Sequence, residues 1–249
     1  MSRPLVSVVL TTRDRPRLLP IALRCYAAQT YPARELIVVD DGDVHPADEA
    51  AVAAVEGRVL RVPPGTVLGE KLNRGLELAR GRLCQKMDDD DWYAPTFVDT
   101  MVRAVLAGSA DACTPTIAFL MPFLFFDVAR WEIRRSLENN IPGATFMFPR
   151  EDWRERPFRA LRHDEDTWFL LDQLHAGATG LPVEALETFL AVRHAGSRQE
   201  RGHTWTHQAT GQTLEGHMRA RPLHAATPEA LLPEWALATY REIRAEIGA

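Results

Sequence analysis

The chain has 249 residues, 46% hydrophobic and 25% charged, with a net charge of −5. That is ordinary globular composition, enough for one large α/β domain or two small ones, and it excludes a disordered, collagen-like or coiled-coil protein. The acidic balance gives no global basic field for nucleic acid, and three scattered cysteines (Cys25, Cys84, Cys113) exclude a disulfide scaffold or a cysteine zinc site.

Met1 to Pro4 leads straight into an apolar run of strand length and reads as no export signal. Leu5–Thr11 is β-branched and predicts a buried strand. A helix follows to about Gln29, with Asp14 as its cap and Pro16 and Pro20 near its start. Glu35–Asp40 is the second strand, Ala47–Glu56 a helix, and Arg58–Val62 a short third strand. Leu68–Arg80 is an amphipathic helix with Gly81 at its C′ position. Arg82–Met87 is a fourth strand running into four aspartates, and Ala94–Ala107 is a helix with Pro95 in its first turn. This alternation predicts a mostly parallel sheet with helices on both faces.

The second half is less regular. Two or three strands fit between Ala112 and Met147, and the apolar stretch Thr116 to Val128 reads as a buried strand pair, too short to span a bilayer. Asp164–His175 is a helix with Trp168, Leu171 and His175 or Leu174 facing inward. Val192 to Thr206 reads as a loop, and Leu232–Ile247 as a terminal amphipathic helix that packs on its own sheet or on a second subunit. The Arg219–Pro228 stretch joins that helix to the rest. His203 and His207 have an i, i+4 spacing, but the segment lacks an HExxH glutamate and does not read as helix, so no zinc site is expected.

Ligands of open parallel sheets bind at the carboxyl ends of the strands, and acidic clusters fall at such ends. Four adjacent aspartates, Asp88 to Asp91, repel one another unless they are solvated or hold a cation. Asp88 and Asp90 stand at i, i+2 and could share a hard divalent ion with a diphosphate. Asp40-Asp41-Gly42 could accept hydrogen bonds from a base or ribose, or could simply form a turn. His163 to Asp166 could hold a general base, or could simply favour a helix N-terminus. Arg13, Arg15, Arg17, Lys71 and Arg74 could meet a base or diphosphate, or could be solvated surface.

Taken in order, these segments resemble the family 2 glycosyltransferases of the GT-A fold. VSVVLTTRDRPRLLPIALRCYAAQTYPARELIVVDDG is similar to the opening signature of that family. LGEKLNRGLELARGRLCQKMDDDDWYAP is similar to its second block, a Gly-x-x-x-Asn-x-Gly helix and a strand leading into the DXD motif. GATFMFPRE followed by HDEDTWFLL resembles its acceptor-side block, and VRHAGSRQERGHTW its histidine-bearing loop.

The resemblance implies an α/β GT-A (Rossmann-like) fold with a mostly parallel sheet flanked by helices, a smaller mixed acceptor-side region and a C-terminal helix. The division expected is a glycosyltransferase domain over 1–215, its nucleotide-sugar half 1–110 and its acceptor half 111–215, followed by a helical extension over 216–249. Thr11, Arg13, Asp41, Lys71 and Asp89 would line the nucleotide. Asp88, Asp90 and His194 would approach Mg²⁺ or Mn²⁺, with Asp90 the direct ligand and His203 an alternative histidine. Asp166 would be the catalytic base, with Asp164 an alternative two residues earlier. Two departures stand out: Arg13 replaces an aromatic residue that often stacks on the base, and the DXD run carries one aspartate more than usual.

The implied activity is metal-dependent, inverting transfer from a nucleoside-diphosphate sugar to a glycan, lipid-linked or small-molecule acceptor. No nucleic-acid partner and no membrane span are expected. A cytoplasmic location follows, with peripheral association at the inner face of the membrane and a homodimer left open. Sugar nucleotidyltransferases usually have a Gly-rich loop after the first strand, whereas this chain has TTRDRPRLL there. A catalytically degenerate binding module is the third reading, and the intact acidic clusters argue against it.

Overall fold

The computed structural model describes residues 3–108, 116–138, 140–194 and 221–246. Cys113, His203, His207 and Ile247 lie outside the described residues, as does the histidine-bearing loop beyond His194. The first half builds β1 (Val6–Thr12), α1 (Leu18–Ala27), β2 (Arg34–Asp40), α2 (Glu49–Ala53), β3 (Gly57–Arg61), α3 (Leu68–Glu77), β4 (Leu83–Asp88), β5 (Trp92–Tyr93) and α4 (Phe97–Gly108). The second half adds β6 (Thr116–Leu120), β7 (Leu124–Asp127), β8 (Glu132–Arg135), β9 (Met147–Pro149), α5 (Arg150–Glu155), α6 (Glu165–His175), β10 (Thr179–Val183) and β11 (Phe189–Arg193). Beyond residue 221 come α7 (Pro228–Leu231) and α8 (Glu234–Glu246).

A seven-stranded sheet runs in the order β10-β6-β9-β4-β1-β2-β3. Its strands pair in parallel except for β9, which is antiparallel to both neighbours. β1 is buried at every position, as expected for a continuous β-branched run at a sheet centre. Register then places the chemistry: Thr12 pairs with Asp40 of β2, and Thr11 pairs with Asp88 of β4. The acidic ends of two strands therefore flank the end of β1.

A second sheet has the order β5-β11-β7-β8. The apolar stretch expected to be a strand pair is indeed two buried strands, yet they part company. β6 joins the large sheet and β7 the small one, across a turn with a cis Met121–Pro122 bond.

The terminal helix packs on its own chain. Ala236, Leu237, Tyr240 and Ile243 are buried, and the Tyr240 ring meets Phe126 of β7 edge-on at 5.3 Å. Arg17, one of the candidate phosphate ligands, instead holds Glu246 of α8 through two bonds of 2.7 and 3.0 Å.

Three local expectations need correction. Asp14 does not cap α1, whose N-cap position is Arg17 without a side-chain cap bond. Asp14 has φ 52° and accepts the backbone N–H groups of Asp43, Val44 and His45, so it clamps the loop after β2. Gly81 does not end α3, which stops at Glu77; its N–H donates to Ser7 Oγ at 2.8 Å beside β1. Helix α6 is rotated from its expected phase: Glu165, Phe169, Leu170 and Gln173 are buried, while Trp168 and Leu174 are exposed.

Candidate active site

Arg13, Asp41 and Lys71, three of the residues expected at the nucleotide, form a tight cluster at the ends of β1 and β2. Thr11, Asp41 and Lys71 are all buried. Lys71 Nζ donates to Asp41 Oδ1 at 2.6 Å and to the Thr12 carbonyl at 3.1 Å. Asp41 Oδ2 accepts the Gly65 N–H at 3.0 Å and pairs with Arg13 at 3.5 Å. Asp40 is spent on structure: it accepts the N–H groups of Gly42 and Ala47 and pairs with Arg61.

Helix α3 can deliver Lys71 because Gly69 lets it approach the chain. A Cβ at Gly69 would overlap the Arg159 carbonyl, and the Gly69 N–H donates to the Leu161 carbonyl at 3.0 Å. Asn73 completes the seam by accepting from Trp153 Nε1 and the Phe158 N–H. In the Gly-x-x-x-Asn-x-Gly spacing, Gly69 and Asn73 thus dock residues 153–161, while Gly75 brings the helix close to Val9 and Val39 of the sheet. Arg74 is exposed and pairs with Glu70 at 3.4 Å.

The four aspartates are neither solvated nor left to repel. Asp89, Asp90 and Asp91 are buried, and Asp88 is partly so. Each has a cation: Lys86 on Asp88 at 2.8 Å, Arg15 on Asp89 at 2.5 Å and Asp90 at 2.9 Å, and Arg193 on Asp91 at 3.4 Å. Asp91 also accepts the Val192 N–H at 2.8 Å, which ties β11 to the run. Burial raises the Asp89 carboxyl to about 6 against the pull of Arg15. Burial, then Asp90, pushes Asp91 well above the ordinary range. For Arg15 and Lys86, burial disfavours the charge, but the surrounding carboxylates outweigh it and both pKa values rise.

Asp88, Asp90 and Asp91 can each direct one oxygen to a common point, with all three oxygens within 4.8 Å of one another. An all-carboxylate oxygen set suits a hard divalent ion such as Mg²⁺ or Mn²⁺. Asp91 was not among the expected ligands, while His194 was. His194 is buried just past β11 and lies outside this oxygen group. Asp89, expected at the nucleotide, faces Arg15.

The third cluster arrives on α6. Asp166 Oδ1 accepts the Thr167 N–H at 2.7 Å, and the residue lines a cavity of about 200 Å³ with Asp88, Asp91, Gly143, Ile141 and Arg193. Asp164 is exposed at the left-handed N-cap position of α6 and does not line that cavity. Glu165 is 4% exposed, 4.0 Å from Lys86. Burial pushes its carboxyl to about 8, with Asp166 and Asp88 adding to the shift and Lys86 opposing it. Tyr93 closes the back of the site, its hydroxyl accepting the Asp88 N–H at 2.8 Å and donating to the Ala144 carbonyl at 3.1 Å. Lys86, Arg193 and Gly143 are not singled out by the sequence, and Glu165 stands there only as a member of the His163 to Asp166 cluster. Only a charged residue inside an apolar strand, at Lys86, signals in the sequence that a buried partner is needed.

A mostly parallel sheet flanked by helices, whose strand ends converge on carboxylates beside a smaller mixed sheet, is the architecture of GT-A glycosyltransferases. The family model of Glycosyl transferase family 2 matches residues 7–176, and the chain belongs to that family. The Bacillus subtilis (strain 168) protein named putative glycosyltransferase EpsH is 29% identical over 106 residues, 41% of this chain and 31% of that protein. The present chain thus spans about a third of that relative.

Among solved structures, S. aureus TarS 1-349 in complex with UDP-GlcNAc aligns with a TM-score of 0.59 at 15% identity, over 78% of this chain and 60% of that one. Mannosyltransferase PcManGT from Pyrobaculum calidifontis, in complex with GDP-Man and Mn²⁺, aligns with a TM-score of 0.57 at 17% identity, over 80% of this chain and 59% of that one. These likenesses establish the fold. No helix among the described residues is long and apolar enough to cross a membrane.

Proposed function

We propose that this chain is a metal-dependent, inverting glycosyltransferase that moves a sugar from a nucleoside-diphosphate donor to an acceptor hydroxyl. The observation that carries this reading is that Asp166 shares one cavity with Asp88 and Asp91 of the oxygen cluster. An in-line displacement needs a base and a diphosphate-binding carboxylate set within reach of one bound sugar, and a shared cavity brings the two together. The relatives complexed with UDP-GlcNAc, or with GDP-Man and Mn²⁺, are consistent with it.

Asp166 takes the acceptor O–H proton. The acceptor oxygen forms the new bond to the anomeric carbon while the bond to the diphosphate oxygen breaks, and the nucleoside diphosphate leaves with that electron pair. A divalent ion held by Asp88, Asp90 and Asp91 would neutralise charge on the departing group. Lys71 and Asp41 rigidify the wall facing the base, and Arg13, with a side chain 21% exposed, is the member of that cluster open to it. The acceptor is a glycan, a lipid-linked intermediate or a small molecule.

The test is a thermal-shift panel of UDP-, GDP-, TDP- and CDP-linked sugars with and without Mn²⁺, followed by transfer assays of Asp166→Asn. Mn²⁺-dependent stabilisation by one nucleotide class, with Asp166→Asn binding that donor but not transferring, supports the reading. No response to any donor favours a binding module, and an active Asp166→Asn protein removes the base assignment.

A further inference from the structure

The aspartate run is expected to need a cation, yet the protein supplies its own. Three side-chain cations from separate places in the sequence sit on the four carboxylates: Lys86, Arg15 and Arg193. They are not equivalent. Lys86 and Arg193 lie on Asp88 and Asp91, where each also has a structural contact: Lys86 reaches Glu165 of α6, and Arg193 Nη1 also donates to the Val192 carbonyl at 2.9 Å. Arg15 comes from the turn between β1 and α1, and one nitrogen, Nη1, spans both Asp89 and Asp90. Asp90 also contributes an oxygen to the three-carboxylate group that suits a divalent ion. Arg15 and that ion would thus share one carboxylate.

We propose that Arg15 is the built-in counter-ion of this site, holding Asp90 in the ligand-free protein and turning to the donor diphosphate when the divalent ion arrives. This rests on the transferase reading and adds an order of events to it. A guanidinium against Asp90 opposes a bare divalent ion, because both are positive and draw on the same carboxylate. A diphosphate removes the conflict by giving the guanidinium a bidentate anionic partner of its own. The ion and the nucleotide then bind with positive coupling, and thermodynamic reciprocity requires each to tighten the other by the same factor. Arg15 sets the size of that factor.

The experiment measures Mn²⁺ binding by the free-ion electron paramagnetic resonance signal, alone and with UDP, GDP, TDP or CDP, for the wild type, Arg15→Gln and Arg15→Lys. In the wild type, Mn²⁺ alone binds weakly, and one of the diphosphates tightens it at least tenfold. In Arg15→Gln, Mn²⁺ alone binds at least tenfold tighter than in the wild type, and the tightening by nucleotide shrinks correspondingly. Arg15→Lys keeps the charge and stays close to the wild type with Mn²⁺ alone. Arg15→Gln binding Mn²⁺ no tighter than the wild type overturns the inference. So does a wild type that binds Mn²⁺ equally well with and without every nucleotide, a result that needs no variant to fold. If diphosphates bind with Mn²⁺ but show no coupling, only the role of Arg15 fails. If no diphosphate binds under any condition, the transferase reading fails and takes this inference with it.

Discussion

Gly143 and Asp166 are fitted to each other: a Cβ on Gly143 would overlap the Asp166 carboxylate at Oδ2. The other oxygen, Oδ1, is held by the Thr167 N–H, so the contact decides how far Oδ2 can extend into the cavity. Gly143 has an extended entry residue before it and no positive φ, so the requirement is for space and not for backbone freedom.

Gly143→Ala should therefore displace Asp166, the proposed base, and leave the Lys71–Asp41 cluster intact. A shift of about 1 Å at a reacting group can lower the rate about a hundredfold. Steady-state kinetics should show kcat reduced on that scale with the donor KM nearly unchanged. An alanine variant with full kcat would mean that Oδ2 is not the proton acceptor.

Lys71 and Asp41 form a buried ion pair in which removing one partner strands the other. Breaking such a pair typically costs about 3–5 kcal/mol. Lys71→Met should lose stability on that order in urea unfolding, and the double variant Lys71→Met with Asp41→Asn should recover much of it. On the proposed function, neither should bind the donor as the wild type does, because the wall proposed to face the base has lost its ordering contacts. Full stability in Lys71→Met would show that Gly65 and Arg13 alone suffice to hold Asp41.

Tyr240 anchors the last helix against the small sheet through its edge-on contact with Phe126. Large-to-small changes at buried aromatic positions cost about 3–5 kcal/mol. Tyr240→Ala should fall in that range by chemical denaturation. A loss below 1 kcal/mol would mean that α8 contributes little to the shared core.

The strands were legible because β-branched runs of six or seven residues have few other uses, and because strand ends rich in aspartate announce where ligands meet an α/β sheet. What the sequence hid was long-range pairing. Asp14 sits where a helix cap belongs, but its three donors lie about thirty residues away, beyond any local pattern. The phase of α6 misleads because its buried face includes Glu165 and Gln173. Their partners, Lys86 and the carbonyls of Asp152 and Arg156, come from other elements. Hydrophobic periodicity looks past such positions and chooses Trp168 instead, which is exposed with the Arg159 guanidinium 4.0 Å above its ring. The aspartate run points to a metal ion in the sequence, and the protein's own cations stay hidden for the same reason: they arrive from the turn after β1, from β4 and from β11.

Glu165 offers the clearest pH signature. Burial raises its carboxyl from the ordinary 4.5 to about 8 in the folded protein, so the native state holds a proton that the unfolded chain has already released. The stability this group contributes is complete below about 4.5 and is lost as the pH rises towards about 8. Glu165→Gln mimics the protonated form at every pH. Its melting temperature should match the wild type near pH 4.5 and exceed it increasingly up to pH 8, by about 2–4 °C for each kcal/mol released. Lys86 works in the opposite direction, since an ionised Glu165 would gain from it at 4.0 Å. A glutamine variant that becomes less stable than the wild type as pH rises would show that this attraction wins over burial.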